Sequence, residues 1–259
     1  TMACSIVAKK CHTKVAHIEA GLRFGDLSMP EEINRMLTDS ITDYFFTTST
    51  SASENLLKLG SNPENVHFVG NVMIDTLYQN INRILAPDFW NEQHLQEKNY
   101  IILTLHRPAN VDEVSSLIEL LHGINLLVKN KKIIFPIHPR TQAILKKSTT
   151  DYKNIIFVSP QGYLNFMFLI KNSFAVITDS GGISEETTVL GIPCFTMRDN
   201  TERPETETIG SNTIVGTSLE NLKKVFGSFL KNGPRKSGIP DLWDGKASER
   251  IVSILLDKK

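Results

Sequence analysis

Short, unbroken apolar runs alternate with amphipathic segments along almost the whole chain, and this alternation constrains the fold more than any other feature. Val15–Ile18, Tyr44–Thr47, Val66–Val69, Tyr100–Leu105, Lys132–Ile137, Ile155–Val158, Phe174–Thr178 and Pro193–Met197 are four to six residues long. They are rich in β-branched and aromatic side chains and bounded by turn residues, which predicts strands. Helical patterns lie between and after them, over Glu31–Thr42, Ser51–Leu59, Val72–Leu85, Asp112–Lys129, Arg140–Lys147, Tyr163–Asn172, Ile183–Leu190 and Leu219–Leu230. Such alternation predicts an α/β fold of βαβ units, with parallel sheets covered by helices on both faces. Burial on both faces also explains why the strands carry no polar alternation.

The alternation breaks at 86–99, where Pro87 begins a polar stretch. Three strands are expected before it and at least five after it. The expected organisation is therefore 1–85 as the remaining part of one α/β domain and 86–245 as a complete one. Residues 246–259 carry a short amphipathic helix, Ala247–Leu256, that is a candidate to cross back onto the first domain. The start, Met2 to Ala8 followed by Lys9 and Lys10, reads like the middle of a helix. Its order is the reverse of a secretory signal, in which charge precedes the apolar stretch.

Composition excludes several classes. The 28 Lys and Arg balance 28 Asp and Glu, which argues against a nucleic-acid binder working by bulk positive charge. Hydrophobic residues make up 41%, ample for a core. No apolar run approaches the roughly 20 residues of a membrane span. Cys4, Cys11 and Cys194 are too scattered for a disulfide framework or a paired-cysteine metal site. A reducing, cytoplasmic setting follows. His12, His67, His94 and His122 show no metal-ligand spacing, and Cys194 is expected in the core.

Chemistry concentrates where strands end. Phe174–Thr178 runs into Asp179-Ser180-Gly181-Gly182 and then a helix. Free amides at a helix start attract anions, and glycines let a phosphate approach the backbone. Glu186, early in that helix, could accept from a ribose diol, although a plain strand–helix turn explains the same residues. His106 and Arg107 follow one strand and His138 with Arg140 follows another; neighbouring strands so tipped would favour an anionic ligand. The loop 197–205 brings Arg198 and Arg203, suited to a diphosphate, or forms an ordinary solvated loop. In the first half, Glu19 sits just past a strand, where a carboxylate needs a partner. Pro30-Glu31-Glu32 is ordinary helix-start chemistry, which leaves open whether Glu31 faces a cleft. Phe166 and Phe168 are core by default.

Taken together, HIEAGLRFGD (17–26), PEEINR (30–35), VGNVMIDTL (69–77), TLHRPANVDE (104–113), PIHPR (136–140), DSGGISEE (179–186) and MRDNTERPE (197–205) resemble the UDP-N-acetylglucosamine 2-epimerases. The resemblance implies two Rossmann-like domains of glycosyltransferase-B type, the N-terminal one incomplete. It implies interconversion of UDP-GlcNAc and UDP-ManNAc by elimination and re-addition of UDP, with no organic or metal cofactor. Glu19, Glu31 and His106 match the family's catalytic residues. Gln161 and Phe166 match positions near the uracil, which revises the core reading of Phe166. Ser180, Gly181 and Gly182 match the diphosphate cradle, with Glu186 on the ribose and Arg203 nearby. Arg107 and His138, with Glu31, match positions that in some bacterial members touch a second UDP-GlcNAc acting as activator. A homodimer is also implied. Thr1–Lys10 aligns with the helix just after a Gly-Asp-Thr motif, so the family's catalytic Asp and first phosphate loop are expected to be absent from these residues, as in a fragment or shortened copy. Hydrolytic relatives that release ManNAc and UDP, an inactive UDP-binding fragment, and a glycosyltransferase of the same fold are the alternatives. The HIEAGLR and PEEINR pair favours the epimerase over the transferase.

Overall fold

Each of the eight apolar runs forms a strand, with ends within one residue of those expected. The computed structural model describes residues 1–105, 114–128, 130–137, 141, 145 and 152–258. They fall into two units, one built from 1–79, 202–205 and 239–259 and the other from 80–201 and 206–238. Of the helix expected over 140–147, only residues 141 and 145 are described, and both are helical.

In the first unit, β1 (Ala16–Ile18), β2 (Tyr44–Thr47) and β3 (Val66–Phe68) form a parallel sheet in the order β1-β2-β3. Helices α1 (Met2–Lys10), α2 (Pro30–Ser40), α3 (Thr50–Lys58) and α4 (Val72–Asn80) alternate with the strands. Helix α2 opens on Pro30, whose fixed φ suits a first helical position, and Ser49 caps α3 by accepting from the Ala52 amide at 3.2 Å. Ala20, Phe45 and Leu56 pack one small core, and Phe46, Val69 and Ile251 another.

Ile251 belongs to the last helix, α11 (Ala247–Asp257), which is folded as part of this first unit. Asp75 of α4 accepts from the Ala247 and Ser248 amides at 3.0 and 2.6 Å, so a carboxylate from another helix satisfies two donors at the α11 start. Buried Trp243 donates from Nε1 to the Thr48 carbonyl at 2.9 Å. Gly70 has φ +92, and a Cβ there would fall 2.1 Å from the Leu242 carbonyl oxygen. Only glycine lets the two stretches of backbone meet there.

The second unit carries β4 (Tyr100–Thr104), β5 (Lys132–Pro136), β6 (Ile155–Val158), β7 (Ala175–Thr178), β8 (Cys194–Thr196) and β9 (Asn212–Ile214). All pair in parallel, in the order β6-β5-β4-β7-β8-β9. Its helices are α5 (Phe89–Glu92), α6 (Val114–Leu127), α7 (Tyr163–Asn172), α8 (Gly181–Leu190) and α10 (Leu219–Asn232), while α9 (Pro204–Thr208) begins in the first unit and ends in the second. The core joins Ile101, Leu103, Leu117, Ile133, Phe135 and Ile177 with a cluster of Phe195, Phe226 and Phe229. Cys194 is fully buried in β8, while Cys4 and Cys11 are exposed thiols.

Several elements depart from the sequence reading: the helix expected over Val72–Leu85 ends at Asn80, and α9 forms where a loop is expected. β9 is three residues long and carries Asn and Thr, too short and polar to register as a run. The stretch 86–99 contains α5, and Trp90 packs edge-on against Tyr100 and Phe168 at 5.5 and 5.0 Å. No helix among the described residues is long and apolar enough to cross a membrane.

The strand order has a functional consequence. β4 and β7 are neighbours, but the chain winds outward from them in opposite directions, which opens a crevice at their carboxyl ends. There the Thr104 and Thr178 hydroxyls lie 2.6 Å apart, and the Ser180 amide donates to the Thr178 hydroxyl at 3.0 Å.

Candidate functional site

The expected residues fall into two groups, one in each unit. In the second, Ser180 is the extended residue preceding α8, and no side-chain cap occupies the first amides of the helix. Gly182 has an ordinary negative φ, and a Cβ placed on it would meet nothing within 4 Å. Neither backbone conformation nor internal packing therefore demands a glycine at 182. The residue leaves open space at a helix start, which suits close approach of an anion.

Glu186 lies one turn further along α8 and is buried. Burial pushes its carboxyl up to about 7, with Glu185 adding to the rise and the Tyr163 phenol moderating it. Burial also raises Tyr163, the first residue of α7, reinforced by the Glu186 charge. The Tyr163 hydroxyl sits beside the carboxyl but closes no full hydrogen bond among the described residues. Gln161, just before α7, donates to the Ser159 carbonyl at 2.8 Å, and both it and Phe166 are half-buried rather than core. The uracil, diphosphate and ribose positions implied by resemblance thus come from the starts of α7 and α8, which follow the carboxyl ends of β6 and β7. Tyr163 was not legible in the sequence, because its apolar helix gives it the appearance of a core residue.

In the first unit, a pocket of about 510 Å³ is lined by His17, Glu19, Leu22, Glu31, Asn34 and Arg35, together with the start of α1. Glu19 follows β1 in the left-handed region, at φ +62. A non-glycine residue held there stores about 1–3 kcal/mol of strain. Its carboxylate pairs with Arg203 at 3.4 Å, and Arg203 also donates to Glu202 at 3.1 Å. Glu202 in turn faces Arg35 at 3.5 Å. Arg203, expected near the diphosphate, is thus partnered by acids of the first unit.

The adjacent acids at the start of α2 do different work. Glu32 turns inward and accepts from the Phe24 and Gly25 amides at 2.9 and 3.1 Å, which fixes the loop after β1. Glu31 stays exposed and faces the pocket. The loop is pinned again by Asp39, which is buried and accepts from His17 Nδ1 at 2.6 Å and from the Gly21 amide at 3.3 Å while pairing with Arg23 at 2.7 Å. Gly21 has φ +77, and a Cβ there would fall 2.2 Å from the Ala52 carbonyl oxygen. The pairing of His17, which lines the pocket, with Asp39 behind it was missed because 22 positions separate them in the chain. Glu205 is buried, and burial raises its carboxyl, opposed by Arg203 and Ser49. His106, Arg107 and His138 lie outside the described residues.

The family model for UDP-N-acetylglucosamine 2-epimerase matches residues 1–256. The chain is 42% identical over 265 residues to the UDP-N-acetylglucosamine 2-epimerase of Methanocaldococcus jannaschii, covering 98% of this chain and 72% of that protein. It is 39% identical over 269 residues to the protein of the same name from Methanococcus maripaludis, covering 100% of this chain and 73% of that one. A crystal structure of the Methanocaldococcus jannaschii enzyme in complex with UDP-GlcNAc and UDP superposes with a TM-score of 0.84 at 41% identity, over 98% of this chain and 72% of that one. The two Rossmann-like units are of glycosyltransferase-B type. On these matches, spanning nearly all of its length, the chain belongs to the UDP-N-acetylglucosamine 2-epimerase family.

Proposed function

We propose that the protein interconverts UDP-N-acetylglucosamine and UDP-N-acetylmannosamine. The observation that carries this reading is the first-unit pocket, in which two carboxylates, Glu19 and Glu31, face one space. Inverting C2 requires a proton to leave on one face and return on the other, hence at least two acid/base groups. The C2–H bond is not acidic while UDP is attached. As the C1–O bond to UDP breaks, positive charge develops at C1 and acidifies C2–H. Loss of that proton to a base leaves a glycal and UDP. Protonation of C2 from the opposite face, with return of the UDP oxygen to C1, gives the epimer.

The second unit supplies the leaving-group side. The amides after Ser180, those of Gly181 and Gly182, with the room left by Gly182, would hold the diphosphate, and Glu186 would accept from the ribose hydroxyls. Gln161 and Phe166 would bound the uracil. His106 would join Glu19 and Glu31 in proton transfer. A second UDP-GlcNAc acting as activator at Arg107, His138 and Glu31, a homodimer, and a cytoplasmic location belong to the same proposal.

The test is turnover of UDP-GlcNAc in heavy water, followed by mass spectrometry of the sugar. Deuterium should enter at C2, and Glu19→Gln or Glu31→Gln should lower kcat by about 10²–10⁴-fold. Product without C2 deuterium, or unchanged turnover in both variants, would sink the assignment.

A further inference from the structure

We propose that His17, held by Asp39, is the proton relay of the first-unit pocket, a role that rests on the epimerase reading above. The imidazole lines the same pocket as Glu19 and Glu31. Its Nδ1 lies 2.6 Å from Asp39 Oδ1, and both side chains are nearly closed to solvent. Asp39 Oδ2 is engaged by Arg23 and by the Gly21 amide, so Asp39 is a carboxylate that can only accept. Nδ1 must therefore carry a proton. In the neutral ring that leaves a lone pair on Nε2, which makes no hydrogen bond among the described residues.

The reaction needs such a group. In each turnover one acid/base residue takes a proton from C2 and another gives one to the opposite face. The sugar neither gains nor loses a proton, but the enzyme is left with its base protonated and its acid empty. Before the next turnover in the same direction, one proton must leave the base and one must reach the acid. An imidazole fixed at Nδ1 can accept at Nε2, pass through an imidazolium that Asp39 and its partners hold in place, and release the proton again from Nε2. No other atom changes hands.

The same pair also anchors the loop that carries Glu19, so activity loss alone would not separate the two roles. A relay can be replaced by a diffusible proton carrier; an anchor cannot. In His17→Ala and His17→Gln, kcat should fall at least about tenfold with KM within about threefold, and imidazole added to the medium should restore part of the loss in His17→Ala. Unchanged kcat, or a loss that imidazole leaves untouched in a variant that melts like wild type, overturns the proposal. A second arm needs no variant. Nitrogen-15 NMR of histidine-labelled wild type should show Nδ1 protonated, with the Nε2 resonance moving when UDP-GlcNAc is added. An Nε2–H tautomer, or a resonance indifferent to the nucleotide sugar, also overturns it. Silent wild type in the C2 exchange assay would count against the epimerase reading and leave this arm to decide the placement of His17.

Discussion

Burial keeps the Glu186 proton in place until about pH 7, whereas an unfolded glutamate gives it up near 4.5. Between those values the folded chain binds the extra proton, so this stability is fully present below pH 4.5 and is lost as pH rises through 7. Wild type should therefore lose up to roughly 3 kcal/mol relative to Glu186→Gln between pH 4 and pH 8, read by chemical melts across that range. Ligand chemistry runs the other way, since ribose hydroxyls donate to a carboxylate. UDP affinity should be about tenfold weaker at pH 6 than at pH 8, and Glu186→Gln should flatten that slope in calorimetric titrations. Gly182→Ala offers a companion test: it should fold at least as well as wild type but bind UDP more weakly, because the open space beside it is filled. Equal affinity would argue against the cradle. Much at this scale was legible, because strand ends and helix starts can be read from residue types. Glu31 and Glu32 show the limit: the same residue type in adjacent places, separated in role by the one amide-bearing loop that Glu32 turns toward.

At the scale of elements, strands buried on both faces announced themselves as uninterrupted apolar runs. β9 did not, because its pairing with β8 rather than its composition makes it a strand. Helix α5 is one turn long, with no room for periodicity. Helix α11 could be read from its pattern, but its docking point could not, since the partner is Asp75 some 172 positions earlier. That contact is open to test. Asp75→Ala removes a buried carboxylate from two amides and should cost about 2–4 kcal/mol, with charge-assisted bonds lost and two donors left bare. Trp243 fluorescence should shift to the red at lower denaturant than in wild type. An unchanged midpoint would show that α11 is held by Ile251 and its apolar neighbours alone.

For the whole molecule, zero net charge and an isoelectric point near 7.0 leave little electrostatic repulsion between copies at neutral pH. The first unit meanwhile presents Ile6, Val7, Ile33, Met36 and Leu37 at its surface, and β1 pairs on one side only among the described strands, with Ile18 exposed. Unpaired edges and apolar faces promote self-association. Sedimentation should show concentration-dependent association at pH 7, reduced in Ile18→Lys; a monodisperse monomer that ignores concentration would contradict this. The return of α11 to the first unit carries a different consequence, one of timing. During synthesis Thr48, Gly70 and Asp75 leave the ribosome long before Leu242, Trp243 and Ala247 exist to meet them. The second unit, whose residues run to 238, can complete its sheet while the first still lacks helix α11. The strands of the first unit must therefore wait, partly uncovered, until residues 239–257 are translated, and that interval is when a chaperone would have most to hold.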